Sequence, residues 1–542
     1  MKPSPTMDCK PTAFIARPLR IIVVGAGISG IQFLKDATHR LKNVSITVYE
    51  KNDDIGGTWL ENRYPGCSCD VPSHTYQYSW NPNPGWSQLY ATAEEIHSYL
   101  ASTVDSFGLQ KYFQFGTECV GAEWDETNCE WIVSTQIVHD GRTITRRKCD
   151  VFVYAVGRLN NWKMPNIPDI ANFQGPILHT ASWPSNIQLD DKDVAVIGNG
   201  ATGPGSYRTF SPGTENLRST VRSYIYILFI RYAPADTSDT PSDTEDDFRQ
   251  WKEDPGLYLE FRYRLERQLA AGFAGLWLGA SSKAFTRAAA EHMGSKIENA
   301  RTRAALVPDF PAGCRRFTPA DRYIEALNQS RVDVVKGTIA GATRDSLVMK
   351  DGASYKVDTI VCATGFDPYT PRFSVRGRDG LELQELWSDQ GGYESYMAAS
   401  VAGFPNLFVF NPPICPVNGS AFPGIERTSD YIMRVISRLQ TDNLNSIAVK
   451  HDAQASFNKW VQKRMASMVW SAPCSSWYKT GTGKVIVPWP GTILHYYKAT
   501  EVIRWEDFDL RFQDESTKYG SFGNGITCDG FAPKEIPWLH SP

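Results

Sequence analysis

No apolar run in this sequence comes near the ~20 residues that a helix needs to cross a bilayer. The longest candidate runs only from Tyr224 to Ile230. The stretch from Met1 to Arg20 carries Lys, Asp and Pro around no apolar core, so residues 1–18 read as a disordered lead and not as a signal peptide. Charge of one sign is also missing. The net charge is -3, and no basic stripe is present, which argues against a nucleic-acid partner. Cysteine is sparse and unpatterned: 11 residues, an odd number, scattered along the chain. In a cytoplasmic protein, the location expected here, this reads as buried or free thiols and not as a disulfide framework. Cys67 and Cys69 form a C-x-C with no Cys/His pair nearby, so no metal site is expected.

What remains is ordinary for a soluble globular protein: 42% hydrophobic and 21% charged residues. At ~100–200 residues per domain, 542 residues suffice for three or four units. The informative feature is glycine, in two clusters. The apolar run Leu19 to Val24 reads as a strand buried on both faces. Gly25-Ala26-Gly27-Ile28-Ser29-Gly30 follows at once, and a helical pattern begins at Ile31. A second strand, Val44 to Tyr49, ends at Glu50, 20 residues after Gly30. This is the dinucleotide fingerprint. Its glycines let the backbone approach a pyrophosphate at a helix N-terminus, and its acid accepts hydrogen bonds from a ribose. A carboxylate would repel a 2′-phosphate, so this site suits FAD or NAD and not NADP. The strand Asp193 to Ile197 feeds a second cluster, Gly198-Asn199-Gly200-Ala201-Thr202-Gly203. Two such sites imply two cofactors, and the economical pair is a flavin and the nicotinamide that reduces it.

Between the clusters lie a long loop, Gly56 to Asp70, and an aromatic run of Tyr76, Tyr78, Trp80 and Trp86. Long ordered loops are usually functional. The aromatic run could wall a flat ring system, or simply pack a core. Asp150 to Gly157 and Thr359 to Asp367 each read as a buried strand ending in a tight turn, the latter marking the return to the first domain. Pro204 to about Asp246 departs from expectation. A Pro-Gly pair and a Ser/Thr/Asp/Pro-rich stretch stand where a helix should follow the second glycine cluster. This stretch reads as loop, through local divergence or a gene-model error. Helical patterning resumes with Leu257, Phe261, Leu265 and Leu269, and Leu276 to Ile297 reads as one further helix. A helix is also expected around Ser429 to Leu439.

The expected fold class is therefore α/β, with two Rossmann-like dinucleotide-binding domains and a helical insertion. The expected boundaries are 19–165 for the first domain, 166–355 for the second with its insertion at about 247–300, and 356–542 for the return to the first.

Phe173-x-Gly175-x-x-x-His179-Thr180-x-x-Trp183-Pro184, flanked by the two glycine clusters, resembles the signature of the type I Baeyer–Villiger monooxygenases. Thr180 and the Trp-Pro ending separate it from the related flavin-containing and N-hydroxylating monooxygenases. Gly56-Gly57-Thr58-Trp59, Asn62 to Gly66, Cys69-Asp70, Arg315-Arg316 and Ala363-Thr364-Gly365-Phe366-Asp367 are similar to further motifs of that family. A divergent, aromatic-rich chain of this type looks similar to fungal secondary-metabolism members. The resemblance implies FAD on the first domain, lined by Gly25, Gly27, Gly30, Glu50, Thr58, Trp59, Asp70, Val71 and Tyr76, with Val120 near the adenine. It implies NADPH on the second, held by Gly198, Gly200 and Gly203. Arg222-Ser223 would read the 2′-phosphate, with Arg231 as rival, and Arg315 and Trp477 would face the nicotinamide cofactor. Arg316 matches the catalytic arginine and Asp70 the carboxylate that positions it, since a permanent guanidinium suits the anionic species of ketone oxygenation. His179 and Trp183 would couple domain motion to cofactor position. The implied reaction uses NADPH and O₂ to convert a ketone, a polyketide or terpenoid intermediate, into an ester or lactone. Two alternatives stand beside it: oxygenation of N or S, and an FAD-binding chain that is inactive through a damaged NADPH half.

Overall fold

The computed structural model describes residues 13–141, 143–200, 216–221, 245–318, 321–417, 419–514, 518–527 and 536. Two five-stranded parallel sheets dominate it. In the first, the central strand Leu19–Val24 lies between Val44–Tyr49 and Val151–Tyr154, with Leu407–Val409 and Phe113–Gln114 outside them. These short apolar runs carry few polar side chains because helices and loops cover both faces of a parallel sheet. The crossover helix Ile28–Arg40 packs on the helix Phe422–Thr441, where the Ser429 hydroxyl donates to Asp36 at 2.7 Å. The latter helix starts well before the expected Ser429.

In the second sheet, Asp193–Ile197 is central, flanked by Asn216–Val221 and Thr359–Cys362, with Val332–Lys336 and Ile177–His179 at the edges. Two expectations change here. Asn216–Val221 is a strand inside the stretch read as loop, because it pairs on both sides within a parallel ladder that local composition does not reveal. Thr359–Cys362 pairs with Asp193–Ile197 and Ile177–His179, so it belongs to the second sheet, and the boundary at 356 falls one strand early.

The insertion consists of Glu245–Glu253, Pro255–Gly272, Ala280–Lys296 and Ala300–Leu306. Asp254 caps the second of these by accepting from Gly256 and Leu257 N–H groups, with Pro255 at the first turn, where its missing N–H costs nothing. The run Leu276 to Ile297 is not one helix. A 3₁₀ turn ends at Leu276, Trp277 is extended, and a new helix starts at Ala280 with Ser282 bonded to Gly279. Among the described residues, no helix is long and apolar enough to cross a membrane.

Candidate active site between the two parallel sheets

Both glycine clusters sit at the carboxyl end of a central strand whose two neighbours continue the sheet in opposite directions, the switch point where open α/β sheets bind ligands. They share one more device. Gly25 has φ +107°, and a Cβ there would stand 2.5 Å from the Ala155 carbonyl oxygen. Gly198 has φ +115°, and a Cβ there would stand 2.4 Å from the Ala363 carbonyl oxygen. The two turns, Ala155-Val156-Gly157 and Ala363-Thr364-Gly365, are thus equivalent parts of the two halves. The repeated unit is larger than the glycine motif alone.

On the first sheet the residues fit a flavin dinucleotide. Gly27 faces Gly57 across a gap in which a Cβ on Gly57 would lie 3.2 Å from the Gly27 Cα. The Glu50 carboxylate accepts from Ala26 N–H at 2.8 Å and from Asn52 N–H at 2.9 Å, while burial raises its pKa. Trp59 is buried, and its Nε1 finds no hydrogen-bond acceptor among the described residues. Its ring meets Tyr76 edge-on at 5.4 Å. Val71 is buried nearby in sequence, and Thr58 begins the short helix Thr58–Glu61. Val120 falls in a bulge: Cys119 pairs with Thr135 and Gly121 with Ser134, which leaves Val120 without a register partner. Of the aromatic run, Tyr78 and Trp86 are fully buried core residues, and Tyr78 stacks on Trp80 at 4.5 Å.

The Arg315-Arg316 loop meets the segment from Cys474 to Lys479. Arg316 Nη2 donates to Asp70 Oδ1 at 2.6 Å, Nε donates to Asp70 Oδ2, and Nη1 donates to the Val417 carbonyl at 3.1 Å. Asp70 raises the Arg316 pKa against the opposing effect of burial. Tyr478, a buried phenol whose own pKa is raised by desolvation, lies beside Arg316 and also within reach of Arg158. Arg315 Nε donates to the Ser475 carbonyl, and Trp477 packs on Tyr478 at 4.7 Å between ring centroids. Cys314 and Cys474 form a disulfide. The expectation of uniformly free thiols is corrected at this pair, which long-range folding brings together across 160 residues. Seven other cysteines are free and buried among the described residues.

His179 ends the edge strand of the second sheet. Its Nδ1 accepts from Ala181 N–H at 3.1 Å, its Nε2 lies 3.3 Å from Thr364 Oγ1, and Trp162 stacks on the ring at 4.7 Å. Burial pushes its pKa down to about 4, so it is neutral at pH 7. Trp183 packs against the core of the second sheet. Among the described residues, nothing stands within 4 Å of a Cβ built on Gly200. Gly203, Arg222, Ser223 and Arg231 lie outside the described residues.

Sequence reasoning passed over Arg158, Tyr478 and the Cys314–Cys474 pair. Arg158 had a readable signal, since it directly follows the A-V-G turn.

Two nucleotide-type switch points and a half-buried arginine–aspartate pair between them define the flavoprotein monooxygenase class. Comparison with known proteins narrows this. The family profile of the NAD(P)-binding Rossmann-like domain matches residues 23–93. The FAD-binding monooxygenase moxY of Dothistroma septosporum is 36% identical over 535 residues, covering 96% of this chain and 84% of that protein. A Baeyer-Villiger monooxygenase of Streptomyces coelicolor is 31% identical over 510 residues, covering 91% and 92%. Cyclohexanone monooxygenase from Rhodococcus sp. Phi1, solved bound to NADP+, superposes with a TM-score of 0.78 at 25% identity, covering 92% and 100%. The chain belongs to the FAD-dependent Baeyer–Villiger monooxygenases.

Proposed function

We propose that this chain is a cytoplasmic enzyme that uses NADPH and O₂ to oxygenate a ketone-bearing polyketide or terpenoid intermediate, with Arg316 and Asp70 as its catalytic pair. The two-pronged contact of Arg316 with Asp70, beside Tyr478, carries this reading. Bound FAD, reduced by NADPH, supplies the oxygen activation that places one atom of O₂ next to the carbonyl.

The chain's own residues do the rest. Gly25, Gly27 and Gly30 admit a pyrophosphate, and Gly57, lacking a Cβ, allows its own backbone close against Gly27. Trp59 Nε1 offers a buried donor to the flavin dinucleotide, and Val120, in the bulge between Cys119 and Gly121, lies near the adenine. Gly198, Gly200 and Gly203 do the same service for NADPH. Arg222, with Ser223 beside it, reads the 2′-phosphate. It is the next residue in sequence after the Asn216–Val221 strand, the position that Glu50 takes after Val44–Tyr49, and this supports Arg222 over Arg231. Arg315 and Trp477 border the nicotinamide side. Arg316 stays cationic at any working pH and stabilises negative charge as it develops on substrate oxygen, and Asp70 fixes the plane of its fork. His179, with Nε2 3.3 Å from Thr364 Oγ1, and Trp183, packed on the core of the second sheet, couple domain motion to cofactor position.

The test is product analysis with purified holoenzyme, NADPH and air on matched ketones, amines and sulfides. Ester or lactone from ketones is expected. Oxygenation of nitrogen or sulfur alone sinks the reaction assigned here. Anaerobic NADPH addition checks the other half: bleaching of the bound flavin is expected, and its absence makes the chain an inactive flavin binder. The paired strand Asn216–Val221 supports an intact NADPH half.

A further inference from the structure

A second arginine stands close to the Arg316 centre, and unlike Arg316 it has no acidic partner among the described residues. Arg158 is the first residue after the Ala155-Val156-Gly157 turn, at the carboxyl end of the Val151–Tyr154 strand. Its guanidinium is desolvated by burial. It donates through Nη1 to Cys415 Sγ, lies beside the Tyr369 phenol, and sits 5.7 Å from the Trp477 ring centroid. Tyr478 is within electrostatic reach of both Arg158 and Arg316. No carboxylate pairs with Arg158 among the described residues. Asp367, which lines the same cleft, is engaged by Thr370 at 2.9 Å and Lys163 at 3.7 Å.

A guanidinium cannot shed its charge, and taking it out of water without a counter-ion is costly. The sulfur and phenol neighbours favour the charged form, but none of them is a carboxylate. The missing counter-charge therefore points to a ligand. The neighbours of Arg158 are flat rings, Tyr369, Trp477 and Tyr478. Flat rings and a cation together suit a conjugated ring that bears an ionised oxygen.

We propose that Arg158 is a specificity-determining residue that binds an acidic oxygen, phenolate or carboxylate, on a flat conjugated ketone substrate. This rests on the ketone-oxygenating reading above. Bidentate or charge-assisted bonding at a buried site also fixes which side of the carbonyl faces the flavin, so the same residue would bias regiochemistry.

The experiment compares pairs of aryl ketones that differ only in the acid: a hydroxyaryl ketone and its methyl ether, a keto acid and its methyl ester. Wild-type holoenzyme is expected to favour the acidic member by about tenfold or more in kcat/KM, as a charge-assisted hydrogen bond provides. Dissociation constants from perturbation of the flavin spectrum should show the same preference. The pair with the larger ratio tells phenolate from carboxylate. The preference should fade as pH falls through the pKa of the substrate's own acid, a measurement that needs no variant. In Arg158→Met the ratio should collapse toward one, and Arg158→Lys should restore part of it. Equal turnover of both members by wild type overturns the proposal while leaving the ketone reaction standing. So does an unchanged ratio in Arg158→Met, or a changed rate of flavin reduction with no change in ratio, which would assign Arg158 to the cofactors. Failure of wild type to oxygenate any ketone would instead sink the underlying reaction.

Discussion

Arg316 grips both carboxylate oxygens of Asp70 across 246 residues of chain, one through Nε and the other through Nη2 at 2.6 Å. The pair is only partly shielded, with side chains 30% and 25% exposed. It is therefore a half-exposed ion pair and not a sealed structural bridge. Loss of the guanidinium should remove charge stabilisation at the reacting oxygen and leave the two glycine sites intact. Arg316→Ala is expected to bind FAD and accept electrons from NADPH at near the wild-type rate, while product formation falls by roughly 10²–10³-fold or more. Stopped-flow reduction and product assay separate the two steps. Loss of FAD from the variant would show that the arginine holds the cofactor instead.

The position after the second strand of a dinucleotide fold selects between a bare ribose and a phosphorylated one. Glu50 occupies it in the first half, and Arg222 follows the corresponding strand in the second. Arg222→Gln should raise the KM for NADPH by about one to two orders of magnitude, the scale of a lost charge-assisted bond. It should leave the KM for NADH nearly unchanged, so the preference between the two cofactors narrows. If Arg231→Gln produces that narrowing and Arg222→Gln does not, the rival residue carries the role.

Much of this architecture is legible in the chain because its signals are local. The Leu19–Val24 and Asp193–Ile197 strands announce themselves by apolar runs that lead straight into glycine turns. The equivalence of Ala155 and Ala363 was not legible, since it rests on a backbone carbonyl packed against a glycine Cα from another strand. Asn216–Val221 was missed for a related reason. Its run Asn-Leu-Arg-Ser-Thr-Val has little apolar content, and only its two parallel neighbours make it a strand. The helix that starts at Phe422 was placed late because its first turn holds Pro423 and Gly424, which read locally as a break. At the site, Arg316 and Asp70 were marked by their motifs. Arg158 and the Cys314–Cys474 pair were not, because their meaning lies in partners far away in sequence.

His179 supplies a pH dependence. Its folded-state pKa is pushed down from 6.5 to about 4 by burial. A depressed histidine favours the fold in its neutral form, so the contribution is fully present above pH 6.5. It is lost progressively as pH falls and is gone by about pH 4. A shift of that size corresponds to roughly 3 kcal/mol between the limits. Thermal unfolding of wild type and His179→Asn across that range checks it. The gap between the two should narrow on acidification, and a constant gap would mean that His179 does not titrate in this environment.

The Cys314–Cys474 bond joins the loop of Arg315 and Arg316 to the segment of Trp477 and Tyr478, and Arg315 reinforces the junction through the Ser475 carbonyl. Lys479 Nζ stands 3.6 Å from Cys474 Sγ and 3.8 Å from Cys314 Sγ. A cation so placed favours the thiolate when the pair is reduced, which keeps both members reactive. Cross-linking across 160 residues constrains the unfolded chain, an effect of about 2–4 kcal/mol in typical cases. Dithiothreitol should therefore lower the thermal midpoint of wild type, whereas Cys474→Ser should start from the lower midpoint and ignore the reductant. Because the bond borders the arginine loop, the same variant should also become more sensitive to limited proteolysis between residues 474 and 484. Equal midpoints for wild type with and without reductant would show that the junction is held by Arg315, Arg316 and their acceptors alone.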